Sequence, residues 1–126
     1  MKTLYLSLLI IICSSVISTQ AVAQSVEQLH AEAEKIANTI QTEIGSATCD
    51  SDAQCKALPM GHRACGGPAY YLVYSTKVGD EDKLKSLANK HTAIHREINR
   101  INQTLSICEF LMPPPVSCIQ GTCKAK

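Results

Sequence analysis

Apolar residues along this chain change their spacing several times, and each change marks an element. Between residues 25 and 44, Val26, Leu29, Ala33, Ile36 and Ile40 recur at alternating three- and four-residue steps. That spacing keeps all five on one face of a helix, so the pattern predicts an amphipathic α-helix. Gly45 is its expected terminator, because glycine takes left-handed backbone without steric cost. A second helix is predicted from about Asp80 to Leu105, with Leu84, Leu87, His91, Ile94, Ile98, Ile101 and Leu105 on its stripe. Asp80, Glu81 and Asp82 put negative charge at the positive end of its dipole. At ~1.5 Å per residue it would run to roughly 40 Å. It must therefore pack lengthwise on the first helix, bend, or break near its end. A coiled-coil dimer is the alternative use of the stripe, but the matching stripe on the first helix favours internal packing and a monomer.

The period then shortens. Tyr70 to Ser75 is rich in aromatic and branched residues and predicts a strand, with Tyr70, Leu72 and Tyr74 on one face and Tyr71 and Val73 on the other. Gln54 to Met60 is the expected partner, joined through the glycine-rich stretch from Gly61 to Pro68. Cys118 to Cys123 predicts a tight hairpin turning at Gln120-Gly121. Pro113, Pro114 and Pro115 before it form a stiff connector that cannot donate to a ladder. The predicted fold class is α+β: two amphipathic helices packed on a small antiparallel sheet.

The first 23 residues have the zones of a secretory signal: Lys2, an apolar run from Leu4 to Ile12 broken only at Ser7, and Ala21-Val22-Ala23 as a cleavage site. A membrane-spanning helix would need ~20 consecutive apolar residues, and polar residues at 14–15 and 18–20 interrupt the run. A lipid anchor on Cys13 would need a small residue before it, where Ile12 stands. The expected product is one domain, residues 24–126, in the periplasm or outside the cell. Losing Lys2 leaves eleven basic against eleven acidic side chains. A neutral chain argues against nucleic-acid binding and against an electrostatic attachment to membranes.

Six cysteines remain after cleavage: Cys49, Cys55, Cys65, Cys108, Cys118 and Cys123. An even count in an exported chain predicts three disulfides, among fifteen pairings that sequence does not resolve. A local argument favours Cys118 with Cys123, opposite each other in the hairpin. The competing pattern ties the hairpin to the Cys49–Cys55 segment or to Cys65. The spacings do not repeat the short paired loops of a structural zinc site, and no Cys-x-x-Cys redox motif is present.

Candidate chemistry is sparse. No Gly-x-Ser-x-Gly elbow or paired carboxylates point to an enzyme, and no cofactor is implied. His91 and His95 lie one helical turn apart, a spacing that lets two imidazoles share a metal. However, Thr92 stands where a zinc protease has glutamate. His30 and His62 would join them only if the fold brings them close. Cys65-Gly66-Gly67-Pro68 predicts a tight turn, or a backbone that presses on a ligand. Tyr70, Tyr71 and Tyr74 offer an amphipathic recognition face. Arg63, and the stretch from Met112 to Cys118, have the disulfide and proline bracing expected of an inhibitor loop.

The order of these motifs resembles a group of small exported bacterial proteins. It is carried by Cys49-Asp50-Ser51-Asp52-Ala53-Gln54-Cys55, by Cys65-Gly66-Gly67-Pro68 leading into Tyr71-Leu72-Val73-Tyr74-Ser75, and by Cys108 and a final Cys118-x-x-Gly121-x-Cys123. The resemblance implies an exported six-cysteine architecture and no particular activity. The expected function is a non-enzymatic binding module for a protein or cell-envelope partner, with an inhibitor as its sharper form. A metal-binding protein using His91 and His95 is the alternative.

Overall fold

The computed structural model describes residues 25–126. The predicted signal peptide lies outside them. The first helix, α1, covers residues 25–44, and Ala33, Ile40 and Ile44 are buried along its inner face. It stops where expected: Gly45 has φ +56°, and its amide donates to the Gln41 carbonyl at 3.0 Å. That single bond satisfies one of the carbonyls a helix end leaves without a partner. A short 3-10 turn, Asp52–Gln54, leads into β1, Cys55–Met60.

β1 pairs antiparallel with β2, Tyr70–Ser75, in a register running from Cys55 opposite Ser75 to Met60 opposite Tyr70. With only two strands, β1 keeps a free edge, which is where a strand tolerates Pro59. The second helix, α2, runs from Glu81 to Ile101 with Asp80 as N-cap, its side chain accepting from the Lys83 amide. The C-terminal hairpin pairs β3, Val116–Ile119, with β4, Thr122–Ala125, as a second two-stranded sheet. The architecture is thus α+β, with two small antiparallel sheets in place of one.

α2 packs against β1. The core gathers Ile40 and Ile44 of α1, Leu58 and Met60 of β1, Tyr74 of β2, Leu84 and Ala88 of α2, and Cys49, Cys55 and Cys123. Glu43 near the end of α1 accepts from the Asp80 amide and from the Lys83 ammonium at the start of α2. Both apolar stripes are therefore used inside the molecule.

α2 ends four residues before the predicted limit at Leu105. Gln103 takes φ +50°, Thr104 N–H donates to Asn99 at 3.0 Å and Gln103 N–H to Arg100 at 3.4 Å. This pair of bonds is the Schellman closure, made here by a glutamine in place of the usual glycine. Of the two ways to shorten a long helix, bending and breaking, the chain breaks. Leu105, read as the last core position, is 94% exposed.

Three disulfides staple the fold: Cys49–Cys118, Cys55–Cys123 and Cys65–Cys108. The favoured local pair, Cys118 with Cys123, does not form. These residues are cross-strand partners, but directly opposed Cβ atoms sit ~4.5–5.5 Å apart, wider than the ~3.8 Å a disulfide prefers. Both sulfurs reach the 49–55 segment instead, as the competing pattern required. Backbone bonds guide them there: Cys49 N–H donates to Gly121 and Cys123 N–H to Ala47, and Asp52 Oδ1 accepts from Cys118 N–H at 2.7 Å. Asp50 is held by Lys77 at 2.8 Å, so both aspartates between the cysteines serve the scaffold.

Candidate binding loop and histidine cluster

After the helix break, residues 102–115 form an irregular segment lying against the β1–β2 connection. Four interactions fasten it. Cys108 is bonded to Cys65, the Cys65 amide donates to Ser106 Oγ at 3.2 Å, Arg63 Nη1 donates to the Glu109 carbonyl at 2.8 Å, and Tyr71 OH donates to the Leu111 carbonyl at 3.3 Å. A Glu109 amide bond to the Ile107 carbonyl at 2.9 Å turns the chain tightly around Cys108.

The β1–β2 connection is itself built to receive this segment. Gly66 and Gly67 have φ +108° and +78°, and the loop closes with Gly66 N–H donating to Arg63 and Arg63 N–H to Gly67. No Cβ clash surrounds Gly66, so these glycines answer a need of backbone angle rather than of space. From α2, Thr92 Oγ1 donates to Gly61 and Asn99 Nδ2 to His62.

Pinned this way, the segment turns its apolar side chains to solvent. Leu105, Ile107, Phe110 and Met112 are 94%, 85%, 78% and 76% exposed, and Leu111 is 38% exposed. Two neighbours of Phe110, Glu109 and Leu111, have their carbonyls held by Arg63 and Tyr71. Phe110 is therefore presented at the middle of a fixed stretch of backbone.

The predicted binding residues separate into different roles. Arg63 does not protrude: its side chain is spent on Glu109. The three tyrosines form no common face. Tyr74 is 2% exposed and belongs to the core cluster with Leu58, Met60, Leu84 and Ala88. Tyr71 braces the loop, and Tyr70 lies edge-on to His91 with ring centroids 6.5 Å apart. Gly66, Gly67 and Pro68 shape the platform under the loop. Met112 marks one end of the exposed segment; Leu105 was expected in the core, and the apolar pattern placed Ile107, Phe110 and Leu111 in no element. Their signal was present in the sequence, as five apolar residues with no helical or strand period before the prolines.

A second assembly involves the histidines of α2. The rings of His91 and His95 lie with centroids 4.3 Å apart and planes tilted by 36°. His91 is 3% exposed; burial, and then the neighbouring His95, push its pKa below the usual imidazole value. His95 is lowered by burial first and then by His30 of α1 and His62 of the β1–β2 connection. All four histidines of the chain thus gather in one region, with Tyr70 at its margin. Among the described residues, the buried Nδ1 atoms of His62 and His91 have no hydrogen-bond partner.

A surface groove of about 570 Å³ runs along α1 and is lined by Glu34, Lys35, Asn38, Thr39, Glu43 and Lys83 among others. Its Glu43 is held below the usual carboxylate range by the Lys83 ammonium and the Asp80 amide, which suits an ion pair rather than a proton-transfer group. Among the described residues, no helix is long and apolar enough to cross a membrane.

Comparison with protein-family models, curated proteins and solved structures finds no match. The molecule is a small, cysteine-rich domain held by three disulfides, a composition that fits an oxidising, extracytoplasmic setting.

Proposed function

We propose that this protein is an exported, non-enzymatic binding module that acts on a protein partner in the manner of a substrate-like protease inhibitor. The observation that carries the reading is Phe110, exposed between two carbonyls that Arg63 and Tyr71 hold in place. Scattered exposed apolar residues mean little, but a contiguous set on a fixed loop favours an interaction site. Aromatic anchors carry much of the energy at such interfaces. Association must also meet the entropy of ordering a loop, and a loop already fastened by a disulfide and side-chain hydrogen bonds has little left to lose. Inhibition follows the same logic: a bound peptide that cannot relax after attack holds its ends together and is released slowly or resealed.

The primary pocket of the partner would be apolar, to take the Phe110 ring, which Leu111 and Met112 follow. The sequence supports export through the predicted signal and the resemblance to small exported six-cysteine proteins. The test is a panel of endopeptidases with apolar, small and basic primary pockets, assayed with the oxidised mature chain. Inhibition confined to the apolar class, weakened about thirtyfold or more in Phe110→Ala, is the expected result for loss of an anchor residue. No inhibition of any class, or equal inhibition by Phe110→Ala, would sink the reading.

A further inference from the structure

We propose a transition-metal site formed by His91 and His95 of α2 together with His62 of the β1–β2 connection and His30 of α1, taking a borderline divalent ion such as zinc(II). The inference is independent of the loop reading and uses none of its residues.

Its geometric basis is convergence. Asn99, one turn beyond His95 on α2, holds the His62 carbonyl at 2.8 Å, and His30 of α1 is near enough to act on His95. His91 and His95, one helical turn apart with rings 4.3 Å between centroids, form the pre-assembled half of the site. A core position on α2 would ordinarily take leucine or alanine, as Leu84 and Ala88 do on the same face. His91 sits there almost fully buried, with its Nδ1 unpartnered. A buried polar atom without a partner is destabilising, and a ligand supplying the missing interaction removes that penalty. His62 Nδ1 is in the same condition, and Asn99 fixes its backbone carbonyl at 2.8 Å, holding the residue beside α2.

Imidazole is the ligand of choice for zinc, copper and nickel, and binds hard ions such as magnesium or calcium poorly. Among the described residues, three ligand-type atoms lie mutually within 4.8 Å only at Cys49, Cys55 and Cys123, which are tied in disulfides. The histidine site therefore closes by rotation of half-buried His62 and exposed His30 toward the fixed pair, so its binding is expected to order both side chains.

The experiment is calorimetric titration of the oxidised mature chain with zinc chloride at neutral pH, after chelator treatment and with free thiol shown to be absent. One ion per chain is expected. His30→Ala and His62→Ala change residues outside the core and should fold normally; each should weaken zinc binding about tenfold. His95→Gln should weaken it further, and the histidine ring resonances should shift on titration of the unmodified chain. Failure to bind zinc, or binding unchanged in His62→Ala and His95→Gln with the ring resonances still, would overturn the proposal. Because the readouts are binding and spectra, they stand whether or not any protease is inhibited.

Discussion

Cys118 and Cys123 face each other across the C-terminal hairpin, yet their sulfurs bond to Cys49 and Cys55 respectively, 69 and 68 residues away. The hairpin is thereby clamped, side by side, onto the segment that enters β1. Each closure restricts a long stretch of the unfolded chain and contributes ~2–4 kcal/mol. Proteolytic mapping of the oxidised protein should yield Cys49–Cys118, Cys55–Cys123 and Cys65–Cys108 peptides. A recovered Cys118–Cys123 peptide would refute this connectivity.

The third disulfide does a different job. Cys65–Cys108 joins the β1–β2 connection to the irregular segment, outside the core cluster. Replacing both cysteines by serine should leave the helices and strands formed while residues 105–112 lose order. Hydrogen exchange should show faster amide exchange in that segment and little change in β1 and α2. Uniform loss of protection across the chain would contradict the division.

Arg63 and Tyr71 should matter for resistance to cleavage. Tyr71→Phe removes only the hydroxyl that holds the Leu111 carbonyl, and Arg63→Ala removes the donor to Glu109. Each net hydrogen bond contributes ~1 kcal/mol, so cleavage after Phe110 by a protease of apolar specificity should accelerate about fivefold in each variant. Mass spectrometry of the digestion time course reads this directly. Unchanged cleavage rates would mean that the two bonds do not fix the loop.

The hairpin turn offers a stability test. Gln120 and Gly121 have φ +51° and +75°, angles that glycine and asparagine accept and that a glutamine adopts at a cost. Gln120→Asn should raise stability by ~0.5–1 kcal/mol, and Gly121→Ala should lower it by ~1 kcal/mol or more. Denaturant midpoints decide the point, and opposite signs would refute the turn assignment.

Stability should fall on mild acidification. His91 and His95 have folded pKa values below the ordinary imidazole value of 6.5, so the unfolded chain binds more protons just under that pH. Their contribution is complete above 6.5 and is lost as pH falls through the lowered values. The groups facing them are His30, His62 and Tyr70, and no carboxylate acts on either shift to oppose it. Thermal unfolding in chelator should show a lower midpoint at pH 5.5 than at pH 7.5, with the difference reduced in His95→Gln. A flat profile over this range would exclude the effect.

Much of the fold was legible without coordinates because it depends on neighbours in sequence. The two helices, the Tyr70–Ser75 strand, its partner read as Gln54 to Met60 and found at Cys55–Met60, and the Gln120-Gly121 turn all follow from local period and local backbone preference. The end of α2 did not, because Leu105 continues the stripe while Gln103 reverses the backbone two residues earlier. Nothing in the apolar pattern signals a left-handed glutamine.

The sequence by itself determined the α+β composition, the six-cysteine framework and the stripes that bury the helices, since each is a matter of spacing along one element. Tertiary structure alone decided which cysteines bond, that Tyr74 enters the core while Tyr71 braces a loop, and that His62 lies beside α2, where His91 and His95 pair. Those outcomes depend on contacts between residues tens of positions apart. Strand register and helix packing set such distances, and no periodicity along the chain records them.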